Sequence, residues 1–420
     1  MAYYSLFLSM LFSFSLLTYG TLFPGTITPL IWLFILATYT YVSDKFLEIS
    51  NLTLLSITIG SFFFFFGCVV GKNAVIAKSD KKTREHLLTS EATRNFFYAI
   101  VAIGLPFFVA RAFAIASTGP FGNFFIDLRI MLTDERIGDT NAFGIYAYLI
   151  PVMFVSTAAE LIAFLTKDRH PTILDRLRLY LSISIGITYV LLFTGRTYVL
   201  MFLTIQILIR VTVGSLSIYR ATAVFFGIFL SAFSTFAIVL GKGGATEASF
   251  IENLTSITET FFSYLVGPTV AFSETTKNSS VCCAYGENSF RTFLALYSKI
   301  DASVQVPALI KEYTYTPDPV NVYTVFHPYY LDFGLLGITI GMLFIGVIHG
   351  ILYKKQWDGP HWHIAYIISF YPIFMQFYQD QYFNLLSMWL QFFALITLLS
   401  VIEKRMRLSS QPNISNKNQA

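Results

Sequence analysis

The stretch TPDPVNVYTVFHPYYLDFG, Thr316 to Gly334, closes a long polar segment and runs directly into an apolar one. It gathers Asp318, Asn321, Tyr323, His327, Tyr329, Tyr330 and Asp332 where a water-exposed loop is expected to meet a membrane helix. Such a border suits a site for a molecule that is itself half in the membrane.

Composition supports that reading. Of 420 residues, 55% are hydrophobic and only 12% charged, against roughly 25% charged in an ordinary soluble domain. The pattern predicts an integral membrane protein, and at about 20 residues per crossing it leaves room for about ten to twelve spanning helices. The apolar/polar alternation of a membrane barrel is absent. The net charge of +4 is small, so its placement carries more information than its size. Cys68 sits in an apolar run, and the adjacent Cys282 and Cys283 have no metal-ligand spacing, so they are read as incidental. Met1 to Gly20 lacks a basic leader region and a small-residue cleavage site and is read as a retained helix.

Apolar runs fall near residues 3–20, 27–43 and 52–71, the last holding Phe62 to Phe66, expected to face lipid. Lys72 to Arg94 is the strongest basic loop, and the positive-inside rule places it in the cytoplasm. Later loops then alternate: 95–117 cross outward, 118–142 lie outside, and 143–166 return to Lys167, Arg169, Arg176 and Arg178. The run Leu179 to Val213 would be over ~50 Å as one helix, too long for a single crossing, so it is read as a hairpin with Gly195-Arg196-Thr197 at an outer tip. Residues 221–240 cross outward, 331–352 return to Lys354 and Lys355, 363–380 go out, and 384–402 come back to a tail with Lys404, Arg405 and Arg407.

The expected fold is therefore an all-α polytopic membrane protein with about eleven transmembrane helices and one long external loop. Residues 1–240 make an N-terminal bundle of about eight helices with outer loop 118–142. Residues 241–330 form the external loop, its patch Phe261 to Phe272 lying along or dipping into the membrane; 331–402 supply three helices and 403–420 a cytoplasmic tail.

Three polar clusters converge on the predicted outer face. Arg196, at the tip of an apolar hairpin, presents a planar guanidinium that matches phosphate oxygens bidentately. Arg129 and Arg136, seven residues apart, share one face if the 122–141 loop is helical, with Phe124, Phe125, Leu128 and Leu132 on an apolar side. Pairing with Asp127, Asp134, Glu135 or Asp139 is the alternative for both. Arg111 either joins them or snorkels. The third cluster is the opening stretch. His327 is the one histidine expected outside, either a general base or an interfacial packing residue. Asp332, one step into apolar sequence, needs a partner, and the outer arginines are the expected ones. Gln376, Gln379, Asp380 and Gln381 would complete the wall. Several external arginines, with neither an acidic metal cage nor a Gly-rich phosphate loop, point to a lipid diphosphate held by guanidinium groups without a metal or other cofactor. Nucleic acid is not an expected partner.

The segment order, the GRT turn, the LRIMLTDERIGD loop and above all NVYTVFHPYYLDFGLLG resemble the Wzy-type oligosaccharide repeat-unit polymerases, the O-antigen polymerase family of bacteria, over most of the chain from about residue 95 onward. The resemblance implies a metal-independent glycosyltransferase with a GT-C-type fold in the bacterial inner membrane, its active site facing the periplasm. Its substrates would be undecaprenyl-diphosphate-linked oligosaccharides, with the lipid bilayer and a chain-length-regulating co-polymerase as further partners. Arg196, Arg129 and Arg136, with Arg111 nearby, would bind the donor diphosphate. His327 or Asp332 would take the acceptor proton, and Asn321, Tyr323 and Tyr330 would shape the sugar pocket. His327 departs from the more usual pattern of the family, which shifts weight to Asp332. The alternatives are an O-antigen ligase, which would share the arginines, and a flippase or transporter of lipid-linked sugars. A transporter should show internal repeats and mid-membrane charges; no repeat is found, and Glu160 is the main intramembrane charge.

Overall fold

A computed structural model describes residues 1–77, 84–133, 139, 141–167, 171–224, 227, 250–277, 284–308 and 311–409. The chain is a predominantly helical, multi-pass membrane protein. Among the described residues six helical stretches are long and apolar enough to cross a bilayer: Ala2–Tyr19, Asn51–Ala74, Glu91–Ala116, Gly144–Thr166, His327–Lys355 and Leu386–Met406. The predicted crossing at 221–240 lies largely outside the described residues. Chain contacts group the molecule into two compact units, one of Met1–Ile76, Leu230–Lys354 and Ser369–Ser387, the other of Ala77–Phe229, Lys355–Ile368 and Met388–Ala420. This grouping cuts across the sequence-based division, because the first three helices pack with the central part of the chain.

The first unit opens with α1 (Ala2–Tyr19), α2 (Pro24–Tyr41) and α3 (Asn51–Ala74). Gly20, at φ +87°, ends α1, and Pro24 pre-sets the first turn of α2. Ser50 caps α3 by accepting the Thr53 N–H at 3.1 Å. The Phe62 to Phe66 block does not face lipid as a whole: Phe62 and Phe66 are exposed, whereas Phe64 and Phe65 are core residues, as helical periodicity requires of five consecutive positions.

Residues 241–330 are not simply a loop, contrary to expectation. They contain a 28-residue helix, Phe250–Lys277. Its Val266, Val270, Ala271 and Phe272 are fully buried. The Ser273 hydroxyl accepts the Ser50 N–H at 2.7 Å, and the Thr276 hydroxyl lies 2.7 Å from that of Ser50 and 2.8 Å from that of Thr53. Ser273 and Thr276, polar by composition, are thus spent on hydrogen bonds to the start of α3.

The helix His327–Lys355 leaves helical geometry at Phe333 and at Gly334, which has φ +61°, a conformation glycine adopts without steric cost. The short first part folds back on the long second part. A Cβ at Gly337 would sit 2.2 Å from the Tyr329 carbonyl oxygen, so glycine is required there. Further along, two Gly-x-x-x-Gly pairs meet. A Cβ at Gly71 would lie 2.0 Å from the Val347 carbonyl oxygen, and one at Gly350 would lie 2.1 Å from that of Cys68. Small residues at this spacing let membrane helices approach backbone to backbone, which binds this helix to α3.

In the second unit α4 (Glu91–Ala116), α5 (Phe124–Thr133), α6 (Leu149–Thr166), α7 (Ile173–Leu192) and α8 (Arg196–Thr212) follow in order. The predicted hairpin is α7 and α8, turning at 193–195. Thr172 and Asp175 form a capping box at the start of α7, and Lys167 holds the Asp175 carboxyl well below the usual carboxylate range. Glu160 is buried on α6 between Arg178, which donates from Nε at 3.0 Å and Nη2 at 2.5 Å, and Arg94, which donates at 3.1 Å. Glu403, on the last helix (Leu386–Ser409), accepts the Ser90 N–H at 2.8 Å and the Thr93 hydroxyl at 3.0 Å, fastening that helix to the start of α4.

Candidate functional site

The opening stretch folds as a small hairpin and then a helix. Strands Thr314–Tyr315 and Pro319–Val320 pair antiparallel, with Thr314 opposite Val320 and Tyr315 opposite Pro319. Pro317 and Pro319 flank Asp318, and the Thr316 N–H donates to the Asp318 carbonyl at 2.9 Å, closing the turn. The hairpin seats on the helix Phe250–Lys277 through Val320 and Tyr323 against Ala271, and Gly267 leaves room for it, since a Cβ there would be 3.0 Å from Val320.

Seated in this way, the hairpin makes one wall of a cleft of about 370 Å³. Tyr264 and Tyr378 lie nearly parallel, their ring centroids 6.0 Å apart and their planes 11° apart. Tyr313, Asn321, Thr260 and Ser263 join them, and the Ser263 hydroxyl donates to Asp318 Oδ2 at 2.5 Å. Aromatic faces suit the apolar faces of sugar rings, while a carboxylate and an amide supply fixed hydrogen-bonding groups for hydroxyls. Of the predicted sugar-pocket residues, Asn321 lines this cleft. Tyr323 braces it from below, its hydroxyl donating to the Glu312 carbonyl at 3.0 Å and lying 2.8 Å from the Thr314 hydroxyl. Tyr330 is buried edge-on against Phe272.

The two residues expected to act as base are both used for packing. The His327 ring is buried and stacked on Tyr323 at 4.1 Å, with the Phe272 ring at right angles on another side. Asp332 is fully buried, and its carboxylate accepts the Asn288 N–H at 3.0 Å, the Asn288 side-chain amide at 3.0 Å and the Ser289 N–H at 2.6 Å. Its hydrogen-bond partners are therefore a loop of its own unit, not the arginines expected from sequence. A cation, Lys311, stands behind this loop and donates to Asn288 Oδ1 at 2.9 Å. Burial and then the Arg291 guanidinium lower the Lys311 pKa, and Asp332 opposes that shift.

A second buried carboxylate, Asp380, organises the turn that follows the helix Pro360–Met375. That helix ends five residues short of the predicted crossing, because Asp380 accepts the N–H groups of Tyr382, Phe383 and Asn384 at 3.0, 3.1 and 3.0 Å and so fixes a turn instead. It also accepts the Tyr329 hydroxyl at 3.1 Å. Burial raises its pKa to about 6 even against these donors. The Tyr382 hydroxyl lies 3.1 Å from His349 Nε2, and Ser369 Oγ lies 3.3 Å from His349 Nδ1. This turn places Tyr378 in the cleft.

The arginine clusters belong to the second unit. The 122–141 loop is helical over Phe124–Thr133, and Arg129 donates to the Thr194 carbonyl at 3.3 Å, meeting the turn that precedes Arg196. Thr194 holds φ +55°, rare for a β-branched residue. Among the described residues Asp127 accepts the N–H groups of Phe121 and Asn123, both at 2.8 Å, and no arginine pairs with it. Arg111 donates to the Ala142 carbonyl at 2.7 Å. Arg136 and the Arg196 side chain lie outside the described residues.

The sequence reading missed Tyr264, Tyr313, Tyr378 and Lys311. The three tyrosines look like ordinary interfacial residues until the fold gathers them at the cleft, and Lys311 until Asn288 ties it beside Asp332. Compared with known protein families, curated proteins and solved structures, the chain matches none.

Proposed function

We propose that the chain is a membrane glycosyltransferase that polymerises undecaprenyl-diphosphate-linked oligosaccharide repeat units at the periplasmic face of the inner membrane, moving the growing glycan en bloc onto a new lipid-linked unit. The observation that carries this reading is the cleft, in which Tyr264, Tyr378 and Tyr313 surround Asp318 and Asn321 beside membrane helices. In the proposed reaction an acceptor hydroxyl oxygen bonds to the anomeric carbon of the donor. The bond from that carbon to phosphate breaks, and the lipid diphosphate leaves with the electron pair.

The hydroxyl proton passes to a carboxylate. Asp318 is the better candidate than His327 or Asp332, because it is exposed and lines the cleft while they are buried in packing and in a loop anchor. Lys311 and Arg291, in the same unit, suit the charge that develops on the leaving group. The turn where Arg129 meets Thr194 is a separate candidate for phosphate contact in the second unit.

The test is reconstitution with purified lipid-linked repeat unit. Asp318→Asn and Tyr378→Ala are expected to abolish long chains while single lipid-linked units persist. Wild-type chain lengths from both variants, at normal protein levels, would overturn the assignment.

A further inference from the structure

The segment from Tyr285 to Ile300 faces outward with apolar side chains, although its sequence lies in the extramembrane part of the chain. Its short helix Arg291–Tyr297 carries Phe293, Leu296 and Tyr297 on exposed positions, and Ile300 continues the row at 84% exposure. The spacing, 293, 296, 297 and 300, is that of one helical face. Three to four large apolar groups held in water on a rigid element would be costly, at roughly 25 cal/mol per Å² of apolar surface.

What covers this face follows from where the segment is fastened. The Ala284 N–H donates to the Leu331 carbonyl at 3.0 Å, and Asp332 holds the N–H groups of Asn288 and Ser289. A Cβ on Gly286 would be 3.7 Å from the Phe333 ring. Phe333 begins the long part of the helix His327–Lys355, a candidate membrane span whose outward row runs through Leu336, Ile340 and Phe344, all more than half exposed. That row is covered by lipid if the helix spans. The 285–300 face therefore continues a lipid-facing surface at the level where the span begins. Tyr297 and the exposed Lys299 are residue types that settle at the headgroup boundary.

We propose that residues 285–300 form an interfacial element whose apolar face inserts into the boundary between headgroups and acyl chains of the bilayer, with Asp332 as the anchor that sets its depth. The inference does not depend on the glycosyltransferase reading. It gives the deeply buried Asp332 a mechanical purpose: the carboxylate ties a membrane-resting segment to the first turn of a spanning helix.

The experiment uses the full chain in nanodiscs of phosphatidylethanolamine and phosphatidylglycerol, with Cys282→Ser and Cys283→Ser; Cys68 is buried and shielded from label. A nitroxide is attached in turn to Phe293→Cys, Leu296→Cys and Ile300→Cys, and its collisions with oxygen, which partitions into lipid, are compared with those of a water-soluble nickel chelate. The expected result is an oxygen-to-nickel ratio severalfold above that of a label at Asp301→Cys. Because the labelled residues are exposed, folding is not at stake, and a melting curve checks it. Ratios equal to that at Asp301 place the segment in water and overturn the proposal. Low accessibility to both reagents, with dipolar broadening between labels, shows a second copy of the chain on this face and overturns it equally.

Discussion

Two buried carboxylates, one in each unit, solve the same problem in opposite ways. Glu160 meets charge with charge: Arg178 grips it through two nitrogens and Arg94 adds a third donor. Asp332 meets charge with dipoles: its hydrogen bonds come from two backbone N–H groups and one amide, and the cation Lys311 stands one residue removed, behind Asn288. The first arrangement commits two guanidinium groups directly to one carboxylate and locks three helices. The second fixes a loop and leaves a half-buried lysine whose pKa is already lowered. The difference is one of commitment: both arginines grip Glu160 directly, whereas Lys311 reaches Asp332 only through Asn288 and so has more left to offer a negatively charged ligand.

Removing one partner tests the difference most harshly in the ion-paired case. Glu160→Gln leaves two guanidinium groups facing each other at the edge of the bundle, and loss of one partner from such a pair costs about 3–5 kcal/mol. Both arginines are partly exposed, so the low end of that range is expected. Denaturation of the purified protein in mixed micelles measures it; a loss below about 1 kcal/mol would mean that the triad is a surface feature and the contrast collapses.

Asp380 sharpens the comparison because dipoles hold it too, yet burial lifts its pKa to about 6. Between about pH 4 and 6 the folded protein keeps a proton that the unfolded chain has released, so stability falls as pH rises through that window and stays lower above it. A shift from 3.8 to about 6 corresponds to about 3 kcal/mol. Melting temperature is expected to drop from pH 4.5 to 6.5, and Asp380→Asn to flatten that slope. An unchanged slope in the variant would assign the pH dependence elsewhere.

Much of the scaffold was legible. Apolar run lengths gave about eleven helices, ten of them at places where the described residues are helical, and the over-long run at Leu179 is two helices joined by a turn, as its length required. The helix Phe250–Lys277 was not legible as part of the bundle, because its Ser273 and Thr276 are polar by composition and become compatible with burial only once Ser50 and Thr53 answer them. Of the residues singled out in the opening stretch, Asn321 and Asp318 line the cleft, whereas His327 drew attention by its chemistry and is held by its ring faces. Tyr378 enters the cleft only because Asp380 builds a turn where hydropathy continued a helix.

Asp332→Asn is a smaller perturbation than either of the first two. The new amide nitrogen would face the Ser289 N–H, now 2.6 Å from an acceptor, leaving a buried donor unpaired at a cost of roughly 1–3 kcal/mol. It carries a second readout. Asp332 raises the Lys311 pKa against burial and Arg291, so removing its charge should lower that pKa further, and Lys311 should react with an amine reagent at lower pH than in the wild type. Destabilisation without that shift would show that Asp332 and Lys311 are structurally adjacent but electrostatically separate.

The smallest expected change in stability belongs to the residue with the largest expected change in activity. Asp318 is exposed at the cleft and is tied by the short bond from Ser263, so Asp318→Asn should alter stability by less than ~1 kcal/mol. If the proposed function holds, polymerisation should nevertheless fail, because an amide cannot take a proton from the acceptor hydroxyl. Ser263→Ala separates the carboxylate from its positioning: it keeps the base but frees its orientation, and chain formation should slow without ceasing. If Ser263→Ala and Asp318→Asn were equally inactive at equal stability, the pair would act as a binding unit, and the proton would have to leave through another group.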